Sequence, residues 1–265
     1  DDLGSKIGFA GIRFLVAGIL VTILAIIQKR KFKVEQKGVV AWLLLFALVN
    51  TALHYLFSYV GLGYLPSSRS TILDSMNGFF AIILSCIIFE DDKFSKFKAL
   101  GCILGFSGIL LINIEPGQNF FQGISFRGDG MILLNAMCGA FGGIITRIIS
   151  KKMDMTVATS LSMTIGGTFL CVVSAIIGPA ARWTITTESI IIMIGLILIS
   201  AVCFGVYNQL LAYHPISKIA IFNAFIPILG VIFSSIILGE PMRVKYIIAG
   251  CIVALGVYVM NHFSK

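Results

Sequence analysis

The sequence predicts an all-α fold: a polytopic transmembrane helix bundle built from two inverted five-helix repeats. Three observations predict it. Of the 265 residues, 58% are hydrophobic and only 12% are charged, whereas a soluble domain carries about 25% charged residues to keep its surface wet. The apolar residues form long stretches of helical length rather than short alternating strands. Polar, proline and glycine residues also recur along the chain at a constant offset.

Nine apolar stretches are long enough to cross a bilayer. The hydrocarbon core is about 30 Å thick, which takes roughly 20 residues of helix. Backbone groups that face lipid must be hydrogen-bonded within their own segment, so each stretch is predicted to be a helix. The stretches run approximately over 9–27, 39–62, 67–89, 97–114, 130–149, 156–178, 190–212, 218–238 and 246–262.

Basic residues cluster in alternate connections between these stretches. Thirteen of the 20 Lys and Arg residues lie in one set of connections and six in the other, with Arg13 inside the first helix. Since positive charge stays on the cytoplasmic side, the set with thirteen, which includes the C-terminus, is predicted to be cytoplasmic, in the cell (inner) membrane. A basic surface for nucleic acid would need the +8 net charge on one face. The expected partners are therefore the lipid bilayer and a small molecule, with no nucleic acid.

Sequence motifs for chemistry are missing. The six cysteines lie inside predicted helices without disulfide or metal-site spacing, and they are interpreted as small packing residues. No nucleotide-binding loop, metal-ligand spacing or nucleophile arrangement is visible in the sequence. It therefore predicts no cofactor, no metal and no enzymatic activity.

Residues 64–103 match residues 213–252 at an offset of 149. The offset contains five spans, an odd number, so the two copies are predicted to be inverted. The matches are Tyr64 with Tyr213, Pro66 with Pro215, Ser68 with Ser217, Ser85 with Ser234, Lys96 with Lys245, Gly101 with Gly250 and Cys102 with Cys251. The halves are predicted as 1–114 and 130–265. The first half shows four helices and the second five, so one further helix is expected to precede residue 1.

Two pieces of the sequence carry a family resemblance. Gly11-Ile12-Arg13-Phe14-Leu15-Val16-Ala17-Gly18 resembles the second helix of the ten-helix EamA-like branch of the drug/metabolite transporter superfamily. Pro227, Leu238-Gly239-Glu240-Pro241, Gly250 and Gly256 resemble its ninth and tenth helices. The first half departs from the pattern, with Glu90-Asp91-Asp92 in place of Gly-Glu-Pro. The resemblance implies a metabolite transporter, and the family's range of substrates leaves the solute open. We expect Glu240-Pro241 to start the last helix, with Glu240 at the positive end of its dipole.

Polar residues inside the predicted spans are the candidate substrate-binding groups, since such groups usually face a cavity or one another. Asn50, His54 and Phe57 follow i, i+4, i+7 spacing on one helical face. The resemblance implies that the helices carrying such residues border a central cavity. The full predicted substrate-binding set is Asn50, His54, Tyr55, Tyr59, Asp74, Asn77, Asn135, Tyr207, Asn208 and Asn223.

Asp74 is the only acid well inside an apolar stretch, and His54 is predicted at a similar depth of roughly 10–12 Å. We hypothesise that the two form a proton-coupling or substrate-amine site. The alternatives are a structural hydrogen-bonded pair and an Asp in the first turns of its helix that faces an aqueous vestibule. Arg13 and Arg69 are predicted at the outer mouth of the cavity, where each either holds a substrate carboxylate or anchors at the headgroups. For Arg69, anchoring or structural pairing is the favoured interpretation.

Together these features predict a secondary active transporter of a small metabolite, an amino acid or a similar amphiphilic or zwitterionic solute. The expected mechanism is alternating access, with a site between the halves near the midplane. Coupling to protons and exchange are both open, as are uptake and export. A passive channel, a membrane-embedded enzyme, and a receptor or scaffold are the alternatives.

Overall fold

The computed structural model describes residues 3–32, 38–89, 95–113, 124–178, 186–214, 219 and 225–262. Over these ranges it has nine helices of 14 residues or more, numbered in chain order, and no strand. They are α1 Leu3–Ile27, α2 Val39–Leu62, α3 Ser67–Ile88, α4 Lys96–Asn113, α5 Phe126–Ile149, α6 Met155–Ile177, α7 Thr187–Tyr213, α8 Phe225–Leu238 and α9 Val244–His262.

Six helices of the described residues are long and apolar enough to cross a membrane, namely α1, α2, α3, α5, α6 and α7. The helices α8 and α9 contain shorter apolar segments, Ile226–Leu238 and Val244–Val259. The predicted polytopic helix bundle is confirmed. One boundary differs clearly from the predicted spans: α1 begins at Leu3, whereas the predicted span begins at residue 9. Lys6 is compatible with that longer helix because a long basic side chain can extend its charge to the headgroups. The first part of the predicted span 218–238 lies largely outside the described residues.

Side-chain caps fix the starts of α6 and α7. The Asp154 carboxylate accepts hydrogen bonds from the N–H groups of Thr156 at 2.9 Å and Val157 at 3.3 Å. At α7, Thr186 and Ser189 form a reciprocal capping box. These bonds satisfy backbone donors that have no partner inside a helix. The chain therefore enters both helices at defined residues.

The start of α3 is capped by a carboxylate from the far end of the chain. Glu240 accepts hydrogen bonds from the N–H of Ser67 at 2.7 Å, the N–H of Ser68 at 3.1 Å and the Ser68 hydroxyl at 2.8 Å. The preceding Gly239 has φ +66°, a conformation that glycine adopts without a steric penalty. This corrects the role expected for Glu240, because its carboxylate stabilises the N-terminus of α3, and α9 begins only at Val244.

Two membrane helices are locally irregular. In α2 the segment Ala47–Leu53 is π-helical, with hydrogen bonds one residue longer than those of an α-helix. An i, i+4, i+7 count assumes α-helical rotation and is therefore not a reliable guide through this segment. The common face predicted for Asn50 and His54 stays a prediction. In α3 the helix is interrupted at Ser75, whose hydroxyl donates to the Ile72 carbonyl at 2.5 Å.

The chain packs as two compact units. Unit 1 comprises Asp1–Tyr59 and Phe141–His214, and unit 2 comprises Val60–Ala140 and Pro215–Lys265. The boundaries cut through α2 and α5, so each unit takes helices from both halves of the sequence. The predicted halves 1–114 and 130–265 describe repeats rather than packing units, and they stay a prediction.

Unit 1 is held by backbone contact between α1 and α6. A Cβ atom at Gly18 would lie 3.0 Å from the Ser160 carbonyl oxygen, and one at Gly167 would lie 2.9 Å from the Gly11 carbonyl oxygen. Glycine at these positions lets the two helices approach closely, as small residues do in membrane proteins. In unit 2, α4 and α9 meet in a similar way, since a Cβ atom at Gly256 would lie 2.7 Å from the Gly101 carbonyl oxygen.

Candidate functional site

Arg13 is an intramembrane cation in unit 1. Its Nε donates a hydrogen bond to the Ser200 hydroxyl at 2.7 Å, and its Nη1 lies 3.5 Å from the Tyr59 hydroxyl. The guanidinium carbon also stands 4.8 Å from the centre of the Phe14 ring and 5.7 Å from that of Tyr55. Among the described residues, no carboxylate lies within ion-pair distance of Arg13. Hydroxyl dipoles and aromatic faces therefore compensate its charge here.

Aromatic rings enclose one side of this cation. The Tyr55 ring lies 4.1 Å from the Phe14 ring and 5.9 Å from the Phe204 ring, measured between centroids. His54 packs edge-on against Tyr55 at 4.9 Å. Of the residues predicted on α2, Tyr55 and Tyr59 therefore contact Arg13, and His54 reaches the cluster through Tyr55. We call Arg13, Phe14, Tyr55, Tyr59, Ser200 and Phe204 the Arg13 cluster.

Unit 1 also buries two of the predicted amides. Asn208 is 2% exposed and donates a hydrogen bond to the Thr159 hydroxyl at 3.1 Å. Asn50 lies in the π-helical part of α2, against Gly142. Its Nδ2 group is buried and has no hydrogen-bond partner in the described structure. A buried donor without a partner is costly, so Asn50 holds an unused hydrogen-bonding capacity inside the membrane.

Asp74 and Asn135 are paired in unit 2. The Asn135 Nδ2 donates to the Asp74 carboxylate at 2.6 Å. Asn135 is 3% exposed and Asp74 is half-buried. Asp74 is the last residue before the interruption of α3 at Ser75, and the half-buried Asn77 follows it. The structure thus joins two predicted residues whose pairing sequence spacing does not reveal.

Arg69 forms a buried ion pair with Asp129. The shortest contact is 2.6 Å, and the two side chains are 15% and 5% exposed. Asp129 also accepts a hydrogen bond from the N–H of Ser125 at 2.9 Å. This pairing fixes the Arg69 side chain within unit 2 and provides its positive charge with an internal counter-ion.

The remaining predicted residues are less central or outside the described chain. Tyr207 is 39% exposed, and Asn223 lies outside the described residues. The predicted pairing of His54 with Asp74 stays a prediction. The described residues contain no group of three or more His, Cys, Asp or Glu side chains that could hold a metal ion.

Sequence reasoning missed Ser200, Phe204, Asp129 and the capping contact of Glu240. The spacing of Ser200 and Phe204 was an available signal, because with Asn208 they recur every four residues on one face of α7. Asp129 also carried a signal, since it lies four residues after Ser125 at the start of an apolar stretch. A contact between the two ends of the chain, such as that of Glu240, leaves no local pattern.

Comparisons with known proteins agree with this architecture. The EamA-like transporter family matches the chain over residues 4–114 and 126–262. An uncharacterized transporter of Bacillus subtilis (strain 168), YvbV, is 27% identical over 259 residues, covering 97% of this chain and 83% of its own. A chloroplastic WAT1-related protein of Arabidopsis thaliana is 25% identical over 261 residues, covering 95% of this chain and 62% of its own.

A protein crystal structure shares the fold, with a TM-score of 0.72 at 10% identity over 98% of this chain and 88% of that one. The family match includes both sequence pieces that carry the resemblance, the segment around Arg13-Phe14 and the segment Gly239-Glu240-Pro241. The predicted resemblance is therefore confirmed. The chain is a multi-pass membrane protein, and it belongs to the EamA-like transporter family.

Proposed function

We propose that the protein is a secondary active transporter that moves a small amphiphilic or zwitterionic metabolite, such as an amino acid, by alternating access. Coupling is to protons or to exchange of a second solute. Membrane transport in general follows from the family. The substrate class and the mechanism are proposed here from the residues inside the membrane helices.

The observation that carries the proposal is the presence of two ionisable side chains, Arg13 and Asp74, inside membrane-spanning helices with neutral hydrogen-bond partners. Ser200 and Tyr59 surround the first, and Asn135 binds the second. Charged groups in a membrane are expensive and usually mark a substrate or ion pathway. Within unit 1 the Arg13 guanidinium is complementary to a solute carboxylate, and within unit 2 the Asp74 carboxylate is complementary to an ammonium group.

The inverted repeat, which alternating access uses, has support within unit 1. Gly18 and Gly167 differ by the repeat offset of 149, as do Gly11 and Ser160. Gly18 packs against Ser160, and Gly167 packs against Gly11. Two copies related by a two-fold axis produce such a reciprocal contact. The two ranges of the family match also coincide with the predicted halves, and inverted repeats are a common plan among transporters.

The test is uptake and counterflow by the purified protein in proteoliposomes. The panel contains radiolabelled amino acids, amines and organic acids, assayed at two pH values. The proposal expects saturable uptake of at least one solute, accelerated by the same solute unlabelled on the opposite side. Flux without counterflow would identify a channel instead, and binding without movement would identify a receptor.

Asp74→Asn tests the coupling. The amide keeps the size of the side chain but removes the ionisable group, so we expect the pH dependence of transport to disappear. Glu188→Gln is the matched control, since it makes the same chemical change at an exposed position in the first turn of α7. If Asp74→Asn leaves both the rate and its pH profile unchanged, Asp74 takes no part in coupling.

A further inference from the structure

The end of α1 displays three basic residues in an unusual backbone turn. Lys29 has φ +53° and is the one non-glycine residue with positive φ in the described chain. The N–H of the next residue, Arg30, donates to the Ala25 carbonyl at 2.9 Å, which closes the helix in the manner of a Schellman motif. Glycine is the usual residue here, and a side chain costs about 1 kcal/mol or more. Lys29 therefore adopts a backbone conformation that its side chain disfavours.

This turn forms one wall of a cavity of about 840 Å³ in unit 1, within the usual volume range of small-molecule sites. Lys29, Arg30 and Lys31 line one side, and Lys152 and Asp154 line the other. Among the described lining residues there are four cations and one carboxylate, an excess of three positive charges. Asp154 is already engaged by the start of α6 and by Arg30 at 3.4 Å.

Both walls of the cavity are fixed by packing. Ala25, near the end of α1, and Met153, between Lys152 and Asp154, are buried in the same hydrophobic cluster. The N–H groups of Lys152 and Met153 both donate to the Ile149 carbonyl, at 2.9 and 3.1 Å. The basic side chains thus project from rigid backbone and converge on one space.

The cavity opens beside a lipid-facing surface. The last turns of α1 expose Ile23, Leu24, Ile26 and Ile27, with Ile27 71% exposed. Lys152 Nζ lies 5.7 Å from the ring centre of Trp42, and tryptophan is enriched at the headgroup level of membranes. Apolar helix surface therefore continues directly into a basic cavity at the depth where phospholipid headgroups lie.

We propose that this cavity binds the headgroup of an anionic phospholipid, with its acyl chains along the exposed face of α1. The phosphate lies between Lys29, Lys31 and Lys152, whose positive charges Asp154 does not compensate because it pairs with Arg30. A phospholipid fits both the charge excess and the adjoining apolar surface, whereas a free phosphate ion uses only the first. Basic pockets between helix ends are suited to such headgroups.

The test measures the thermal unfolding midpoint and the bound lipid of the full chain in neutral detergent. Phosphatidylglycerol is titrated against phosphatidylcholine with the same acyl chains and against sodium phosphate at matched ionic strength. We expect phosphatidylglycerol alone to raise the midpoint and to remain bound in native mass spectrometry. Lys31→Gln and Lys152→Gln should each weaken its apparent affinity about fivefold. Lys6→Gln, the same change at the other end of α1, should leave it unaltered.

Lys29→Gly separates the charge from the fold. Glycine accepts the left-handed turn, so the lipid-free protein should unfold at the same temperature or higher, while its affinity for phosphatidylglycerol falls. The proposal is overturned if phosphatidylcholine or sodium phosphate stabilises the protein equally well. Equal affinity for phosphatidylglycerol in the wild type and in all three cavity variants overturns it as well.

Discussion

Glu240 and Ser68 are joined by two hydrogen bonds although they lie 172 positions apart in the sequence. The Glu240 carboxylate accepts from the Ser68 hydroxyl at 2.8 Å and from the Ser68 N–H at 3.1 Å. Burial by itself raises the pKa of Glu240, but the hydrogen bonds from Ser68 and Ser67 outweigh it and place this pKa below its ordinary value. The contact ties the α8–α9 connection to the start of α3 inside unit 2.

Glu240→Gln should therefore destabilise the protein by about 1 kcal/mol, the usual cost of losing a helix cap. An amide has one acceptor oxygen where the carboxylate has two, and it lacks the charge that favours a helix N-terminus. The measurement is the unfolding midpoint in detergent at neutral pH. Glu188→Gln, at the exposed start of α7, should change the free energy of unfolding by a few tenths of a kcal/mol at most, and the midpoint correspondingly little. Equal effects of the two variants would contradict the capping role.

The same contact predicts how the stability of the protein changes at acid pH. Since the pKa of Glu240 is lower in the folded protein, its contribution is complete above the ordinary value of 4.5 and is lost as the pH falls through the lowered value. The difference in midpoint between wild type and Glu240→Gln should therefore shrink as the pH drops below about 4.5. A constant difference across that range would be inconsistent with this linkage.

Arg69→Met should destabilise unit 2 by about 3–5 kcal/mol, because it leaves the Asp129 carboxylate buried without its cation. Adding Asp129→Asn should recover part of the loss, which distinguishes the unpaired charge from lost packing. Arg30→Met is the control, since Arg30 pairs with Asp154 at 41% exposure and such surface pairs contribute about 0–1 kcal/mol. Each variant is compared by its free energy of unfolding in lipid-free detergent.

Gly167→Ala should weaken the packing of α1 against α6. The added methyl group would lie 2.9 Å from the Gly11 carbonyl oxygen, and overpacking of this kind typically costs about 1–3 kcal/mol. Gly195→Ala is the matched control on α7, where the added Cβ meets nothing within 4 Å. There the better helix propensity of alanine should be neutral or favourable. The expectation fails if both variants unfold at the same temperature.

Ser200→Ala should raise the KM for the transported solute by about fivefold, the equivalent of one hydrogen bond. The loss releases the Arg13 Nε from the position that the Arg13 cluster gives it. Arg13→Lys should have the larger effect, because an ammonium group keeps the charge but loses the planar stacking on Phe14 and Tyr55. Proteoliposome uptake gives both values, and Thr168→Ala, at an exposed position on α6, is the control. An unchanged KM in both Arg13 and Ser200 variants would remove the cluster from the binding site.

The helices were predictable because a bilayer imposes a length and a composition on each span. Leu3 as the start of α1 was not, since a helix can continue through polar residues once its backbone is hydrogen-bonded. Of the candidate site, the sequence identified Arg13, Tyr59, Asp74 and Asn135 as polar side chains inside apolar membrane-spanning stretches. Their partners follow from packing between distant segments, which helical spacing does not encode.

The π-helical segment of α2 shows the same limit most clearly. Tyr55, which was predicted on a face adjoining that of His54, stacks on Phe14 and Phe204, and Asn50 packs on Gly142. Periodicity assumes a rotation of about 100° per residue throughout. The π-helical turn over Ala47–Leu53 departs from that rotation, although the segment contains no proline or glycine that would have predicted it.

That wide turn also makes α2 tolerant of changes in chain length at one place. A helix with π hydrogen bonds over Ala47–Leu53 contains one more residue in that turn than a regular α-helix does. Deletion of one residue would convert the turn to α-helix. Such a change would rotate the amide of Asn50 relative to Tyr55 and Tyr59, which contact Arg13. Insertions and deletions in α2 among relatives should therefore concentrate in this turn. They would change the direction of the Asn50 amide relative to the residues around Arg13.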